Sequence, residues 1–310
     1  LPDARLRLLF VCAHPAIDPG LHSALMLQTV LGLDAARIAS AFLVKPEAMT
    51  KRLVRAKAKI RAAGLRFEEP GPDEWPERLA SVLEAIYGAY TLHWGLADDA
   101  DAGELAGEAR FLAELVASQL PDEPEALGLV ALLWLCEARR SAGHAEFRPL
   151  HEQDARGWDH ALIERANAAL HRAASRRAPG PFQLEAAIQA AHTQGRIAGQ
   201  VPWDGITRLY ERLLETAPTV GAQIAHAVAL AHARSDPQAG LRLLAAIEPD
   251  RVAAHQPWWA ARAHLLAQAG AHADAATAYG RALALTVEPR LRTWLARRLQ
   301  AEELAAACAR

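Results

Sequence analysis

Asp34-Ala-Ala-Arg-Ile-Ala-Ser-Ala-Phe-Leu-Val-Lys-Pro-Glu-Ala-Met-Thr-Lys-Arg-Leu-Val-Arg-Ala-Lys-Ala-Lys-Ile-Arg61 reads as two helices joined by a tight connection. Asp34 is suited to cap the first, because its carboxylate can accept from the free amides of an opening turn. Ile38, Ala41 and Phe42 then fall at helical spacing. Lys45-Pro46-Glu47 opens the second helix. Proline at the first helical position has a pre-set φ and lacks only a donor that would go unused, and glutamate in the first turn complements the helix dipole. Met49, Leu53, Ala56 and Ile60 follow at i, i+4, i+7 and i+11, a single apolar stripe. At about 100° per residue, Lys51 and Arg55 point away from that stripe, with Arg52 and Lys59 on its flank.

Lys45, Lys51, Lys57 and Lys59 are the only lysines in the chain. Residues 1–69 hold 11 Lys and Arg against 6 Asp and Glu, whereas the remaining residues hold 23 against 30. A basic head on an acidic body suggests that the head alone meets a polyanion. Solvation by itself is the ordinary reason for an outward basic face. A helix of this length, set by a short connection against a shorter one, also fits a major groove, and nucleic acid is the stronger expectation. The expected DNA contacts are Lys51, Arg52 and Arg55 in the groove and on phosphates, with Lys45, Thr50 and Lys59 completing the set.

Working outward, residues 3–13 and 21–31 read as helices, separated by His14-Pro15 and Pro19-Gly20 and closed by Gly32 in a C′ position. Gly64 ends the basic helix, and Arg66 to Pro76 is rich in proline, glycine and acid. The expected division is a DNA-binding domain at 1–66, a linker at 67–76 and a helical regulatory domain at 77–310. Alanine and leucine dominate a chain that is 52% hydrophobic, with few β-branched runs, so the expected fold is all-α. About ten helices are expected from Glu77 on, near 77–94, 102–119 behind an Asp98-Asp99-Ala-Asp101 cap, 123–141, 158–176, 182–196, 205–216, 220–234, 236–247, 257–269, 273–286 and 289–306. Phe147 to Asp154 lacks a helical period. Trp259, Ala263, Leu266, Ala275, Tyr279 and Ala282 fall on positions of a 34-residue tetratricopeptide pattern, and Ala227, Leu230, Ala239, Leu243 and Ala246 form a weaker copy 36 residues earlier.

The segment from Arg37 to Lys57 resembles region 4 of bacterial sigma factors of the extracytoplasmic-function type, whose pattern is roughly E-I-A-x-x-L-G-V-S-x-x-T-V-x-x-R-L-x-R-A. Ile38, Ala39, Val44, Arg52, Leu53, Arg55 and Ala56 match it. Arg37 stands where the pattern has an acid, Leu43 where it has the turn glycine, and Lys45 where it has serine. Leu6 to Ala16 resembles the start of the same domain in a subgroup with a long helical extension. Leu129 to Arg140, Trp158 to Ile163 and Gly180 to Ile188 resemble that extension. The resemblance implies recognition of the −35 promoter element, contact with RNA polymerase core, and regulation of the head by the helical body in place of a separate anti-sigma protein. Region 2, which in that family melts the −10 element, has no counterpart in this sequence. The expectation is therefore a fragment that begins inside a helical pattern at Leu1 and recognises DNA without initiating transcription alone.

Cys12, Cys136 and Cys308 are odd in number and widely spaced, which suits a reducing cytoplasm. The longest apolar run, Leu127 to Cys136, is too short to span a bilayer, so no membrane partner is expected. No cofactor is expected and no enzyme. His151-Glu152 lacks the second histidine of a zinc motif, and Cys12, His14 and His22 lack an acidic companion. The tryptophans read as packing anchors. Two other functions use the same features: a helix-turn-helix regulator, or a protein-interaction scaffold, either with a tetratricopeptide-like sensor and no sigma activity.

Overall fold

The two helices around the basic stretch owe their ends to a few hydrogen bonds. In a computed structural model, which describes residues 3–42, 44–62, 68–92, 100–140 and 146–308, α3 runs Ala35–Ala41 and α4 Pro46–Ala62. Asp34 Oδ1 accepts from the amides of Ala36 at 2.8 Å and Arg37 at 2.9 Å, meeting two donors that a helix start leaves free. The Lys45 carbonyl accepts from the amides of Ala48 at 3.0 Å and Met49 at 3.1 Å, which starts α4. Met49, Leu53, Ala56 and Ile60 are all buried. Each of the larger three contributes about 1.5–3 kcal/mol relative to an exposed position. The expectations attached to Leu43, Gly64, Asp98 and Asp99 lie outside the described residues.

Before this pair come α1 (Ala4–Cys12) and α2 (Pro19–Thr29), capped by Asp3 and Asp18. Gly32 sits at φ +68°, a conformation that only glycine adopts without strain, and it reverses the chain after α2. The helix ends two residues earlier than expected, at Thr29 with Val30 as its cap, so Gly32 lies one position beyond C′; the Leu33 amide then reaches the Leu27 carbonyl at 3.0 Å.

The head does not stop at residue 66. A 3-10 turn at Pro72–Glu74 leads into α5 (Trp75–Leu92), which packs on α1, α2 and α3, followed by α6 (Ala100–Gln119) and α7 (Pro124–Arg140). Compact units run Leu1–Leu133 and Trp134–Arg310, so the division falls within α7. The stretch expected as a linker is pinned at its far end. The Trp75 indole donates to the Pro70 carbonyl at 3.1 Å, its ring lies 5.9 Å from that of Phe10, and buried Arg78 donates to the Phe10 carbonyl at 3.2 Å. The physical reason is coverage. Four short helices bury too little apolar surface by themselves, and Leu79, Val82, Leu83 and Ile86 of α5 supply what α1 and α2 need.

The second unit is a sequential array: α8 (His160–Ser175), α9 (Pro181–Ala198), α10 (Trp203–Thr216), α11 (Val220–Arg234), α12 (Pro237–Ala245), α13 (Pro249–Val252), α14 (Gln256–Gln268), α15 (His272–Ala284) and α16 (Pro289–Cys308). From α8 through α12 each helix packs on the next; α14 then packs on α11, α12 and α15, and α15 on α16. Of the tetratricopeptide-like positions, Ala263, Leu266, Ala275, Tyr279 and Ala282 form one buried cluster, with Trp259 packed against it. The weaker copy keeps Ala227 and Ala239 buried, whereas Leu230 and Leu243 are half-buried and Ala246 is exposed. Here α12 is shorter than its counterpart α15, and Leu244 and Ile247 take the core positions instead. Gly240 marks a tight crossing: a Cβ there would lie 2.6 Å from the Ala227 carbonyl oxygen and 2.8 Å from Leu265 Cδ1. Among the described residues there is no β-strand, and no helix is long and apolar enough to cross a membrane. The fold is all-α.

Candidate nucleic-acid interface

Burying Met49, Leu53, Ala56 and Ile60 fixes the rotation of α4 and therefore what it presents outward. Lys51, Arg52, Arg55 and Lys59 are exposed, as are Lys45 at the helix entrance and Thr50. From Lys51 to Lys59 the face extends about 12 Å along the axis at 1.5 Å per residue. Thr50 turns its hydroxyl inward, donating to the Pro46 carbonyl at 3.0 Å. Arg55 Nε donates to the Lys51 carbonyl at 3.2 Å, which lays that side chain along the helix. Among the described residues, no carboxylate lies within ion-pair distance of Lys45, Lys51, Arg52, Arg55 or Lys59. The face is thus a row of cations that no described carboxylate neutralises, and Val54 among them is 59% exposed.

Lys57 is set apart from this row. It is half-buried and, with Arg61, borders an apolar cavity of about 580 Å³ whose walls include Leu8, Val11 and Leu25. Arg61 Nε donates to the Lys57 carbonyl at 3.3 Å. Lysine clustering in the sequence therefore contains two environments, and only the apolar stripe separates them. Val54 and Arg61 are two outward residues of α4 that the sequence reading passed over, although helical spacing from Leu53 and Ile60 places both.

The other residues weighed for chemistry have these neighbours. His22 Nδ1 pairs with Ser81 Oγ at 3.0 Å, and Nε2 lies 3.0 Å from the Ile17 carbonyl and 3.2 Å from that of His14. Cys12 Sγ sits 3.5 Å from Thr29 Oγ1, and burial pushes its thiol up from the ordinary value. Cys12, His14 and His22 therefore face separate partners. Among the described residues, no three His, Cys, Asp or Glu side chains gather to hold a metal ion. In the second unit, Trp203 stacks on His232 at 4.3 Å between rings, with His192 at 5.3 Å from Trp203 and His264 at 5.7 Å from His232. Burial, then Arg139 and His232, holds the His192 imidazole down to about 4; burial with His232, His151 and Arg298 does the same to His264.

Uncharacterized protein R00370 of Rhizobium meliloti (strain 1021) is 36% identical over 311 residues, covering 98% of this chain and 72% of that protein. The chain belongs to the same family as this rhizobial protein. The family of unknown function DUF6596 also matches, at residues 78–174, from the first turns of α5 to the end of α8. No solved structure matches the chain. The basic helix lies outside the DUF6596 stretch and inside the stretch shared with the rhizobial protein.

Proposed function

We propose that the chain is a sigma-factor-type transcription initiation factor that acts in the cytoplasm. In this reading α4 enters the major groove at the −35 promoter element, α3 crosses the backbone beside it, the head engages RNA polymerase core, and the helical body regulates the head. The observation that carries the proposal is the row Lys51, Arg52, Arg55 and Lys59, without a carboxylate partner among the described residues, on a helix whose opposite side is buried. Cations left without a carboxylate are costly to crowd together unless a polyanion neutralises them. The resemblance to sigma region 4 supports the same reading, since of the residues that carry it Arg52 and Arg55 are exposed and Leu53 and Ala56 are buried. Three free thiols suit the cytoplasm.

Replacing Lys51 and Arg55 with glutamate tests the contact. Binding to promoter duplexes in a gel shift is expected to weaken by a hundredfold or more, with the thermal melt unchanged, because two attractive phosphate contacts become repulsive. Unchanged binding would sink the assignment. Co-purification with RNA polymerase core separates a sigma-type factor from a helix-turn-helix regulator, which has no need to hold core stably.

A further inference from the structure

Residues 146–153 lie outside the helices of the second unit except for one 3-10 turn, Leu150–Glu152. They make contacts with α9, α14 and α16, which stand far apart along the array. The Glu146 carboxylate is held by both terminal nitrogens of Arg297, at 3.1 and 3.2 Å, a forked pair. The Phe147 ring meets Trp294 edge-on at 5.7 Å, and five residues later Glu152 Oε2 accepts from the indole N–H of the same Trp294 at 3.3 Å. The His151 ring lies 6.1 Å from that of His264. The Gln153 backbone carbonyl accepts from Arg196 Nη2 at 2.9 Å. A segment that touches the third-last and last helices as well as α9 runs across the stack of helices.

Its contacts are those of a bound peptide rather than of a core element. Glu146, Arg148, His151 and Glu152 are exposed, Phe147, Pro149, Leu150 and Gln153 are half-buried, and the first fully buried side chain downstream is Trp158. The recognition uses carboxylates, one aromatic edge and one main-chain carbonyl, all of which an extended segment of another protein carries. The fit is also incomplete. Arg196 Nε and Gln153 Oε1 are buried beside one another's residues without a hydrogen-bond partner among the described residues, so the resident segment leaves polar groups unmet. Contacts this light persist because the segment is tethered, which keeps its effective concentration high.

We propose that the face carrying Arg196, His264, Trp294 and Arg297 is a peptide-recognition site, and that residues 146–153 are its displaceable internal occupant. The external partner is a protein segment with an acid-aromatic pair, as in Glu146-Phe147, and a second acid five residues beyond the ring. Arg297 takes the first carboxylate, Trp294 takes the ring and the second carboxylate, and Arg196 takes the main chain. This assignment is independent of DNA binding by α4.

The test uses the full chain and a fluorescein-labelled peptide of residues 146–154, Glu-Phe-Arg-Pro-Leu-His-Glu-Gln-Asp, read by anisotropy. Loosening the internal segment with Glu146→Ala and Phe147→Ala is expected to tighten peptide binding at least tenfold over the unaltered chain. Adding Arg297→Glu to the loosened chain is expected to remove that gain, and a peptide with Lys and Ala in place of its first Glu and Phe is expected not to bind. If the loosened chain no longer melts cooperatively, Glu146→Gln alone takes its place in the same comparison. Equal binding by loosened and unaltered chains, no binding by either, or a gain that survives Arg297→Glu overturns the proposal and leaves residues 146–153 a structural connection only.

Discussion

The cations of α4 and those of the helical array are used in opposite ways. Lys51, Arg52, Arg55 and Lys59 stand in a row with no carboxylate partner among the described residues. The arginines named in the array are engaged by their own chain: Arg297 with Glu146, Arg298 with Glu302 at 3.5 Å, Arg139 with Gln189 at 2.8 Å, and Arg292 with the Leu283 and Thr286 carbonyls at 3.1 and 2.7 Å. In the array, guanidiniums, planar forks that satisfy two acceptors at fixed angles, are taken up by carbonyls and carboxylates of the fold; on α4 two ammonium and two guanidinium groups, either of which can bind phosphate, stay exposed.

The contrast can be put under strain by substitutions on either side of it. Leu53→Ala removes a buried side chain directly behind the basic row, and its cost is expected to be about 2–5 kcal/mol, read as a lowered urea midpoint. In the array, Gly240→Ala forces a methyl against the Ala227 carbonyl and Leu265. An expected loss of about 1–3 kcal/mol should appear in the same titration. Unchanged midpoints would mean that the crossing of α11, α12 and α14 is looser than the distances say.

Acid should act on the array through its histidines. The folded-state values of His192 and His264, about 4, lie below the ordinary 6.5, so the unfolded chain binds protons more strongly between those limits. The contribution is fully present above pH 6.5 and is lost as pH falls through 6.5 toward 4, by on the order of 1–2 kcal/mol for each histidine at pH 5. A urea midpoint that drops from pH 7 to pH 5, and drops less in the His192→Gln, His264→Gln variant, is the expected result. Smaller still, Asp34→Ala should cost about 1 kcal/mol by freeing the amides of Ala36 and Arg37. Val54→Ala, one residue from Leu53 but on the exposed side, should stay within about 0.5 kcal/mol.

Much of this was legible in the residues, and the reasons it was not elsewhere are specific. The stripe of α4 is long enough for its period to fix both faces, and Asp34 and Gly32 act through local backbone chemistry that needs no tertiary information. The four residues of α13 are too few to display a period, although Pro249 opens it and buried Val252 anchors it. The packing of α5 on the head rests on Arg78 reaching Phe10, 68 residues away, whereas a Pro/Gly-rich composition reads as a tether whatever it docks against. Leu243 and Leu244 show the limit of repeat matching: a shorter helix shifts the buried leucine by one position. The residues of the proposed peptide site could not be assembled from the sequence at all, because Glu146 and Arg297 meet across 151 positions and Trp294 looks like any packing tryptophan until its N–H is seen to be used.

The claim that α4 reads a polyanion is tested most directly by salt. The affinity of the unaltered chain for a labelled duplex should fall steeply on a log–log plot, with a slope of about −0.9 per phosphate contact. The Lys51→Ala, Arg55→Ala variant should bind less tightly and lose about two contacts' worth of slope. A variant that keeps the full slope of the unaltered chain would contradict the account, and would place the nucleic-acid contact somewhere other than the basic face of α4.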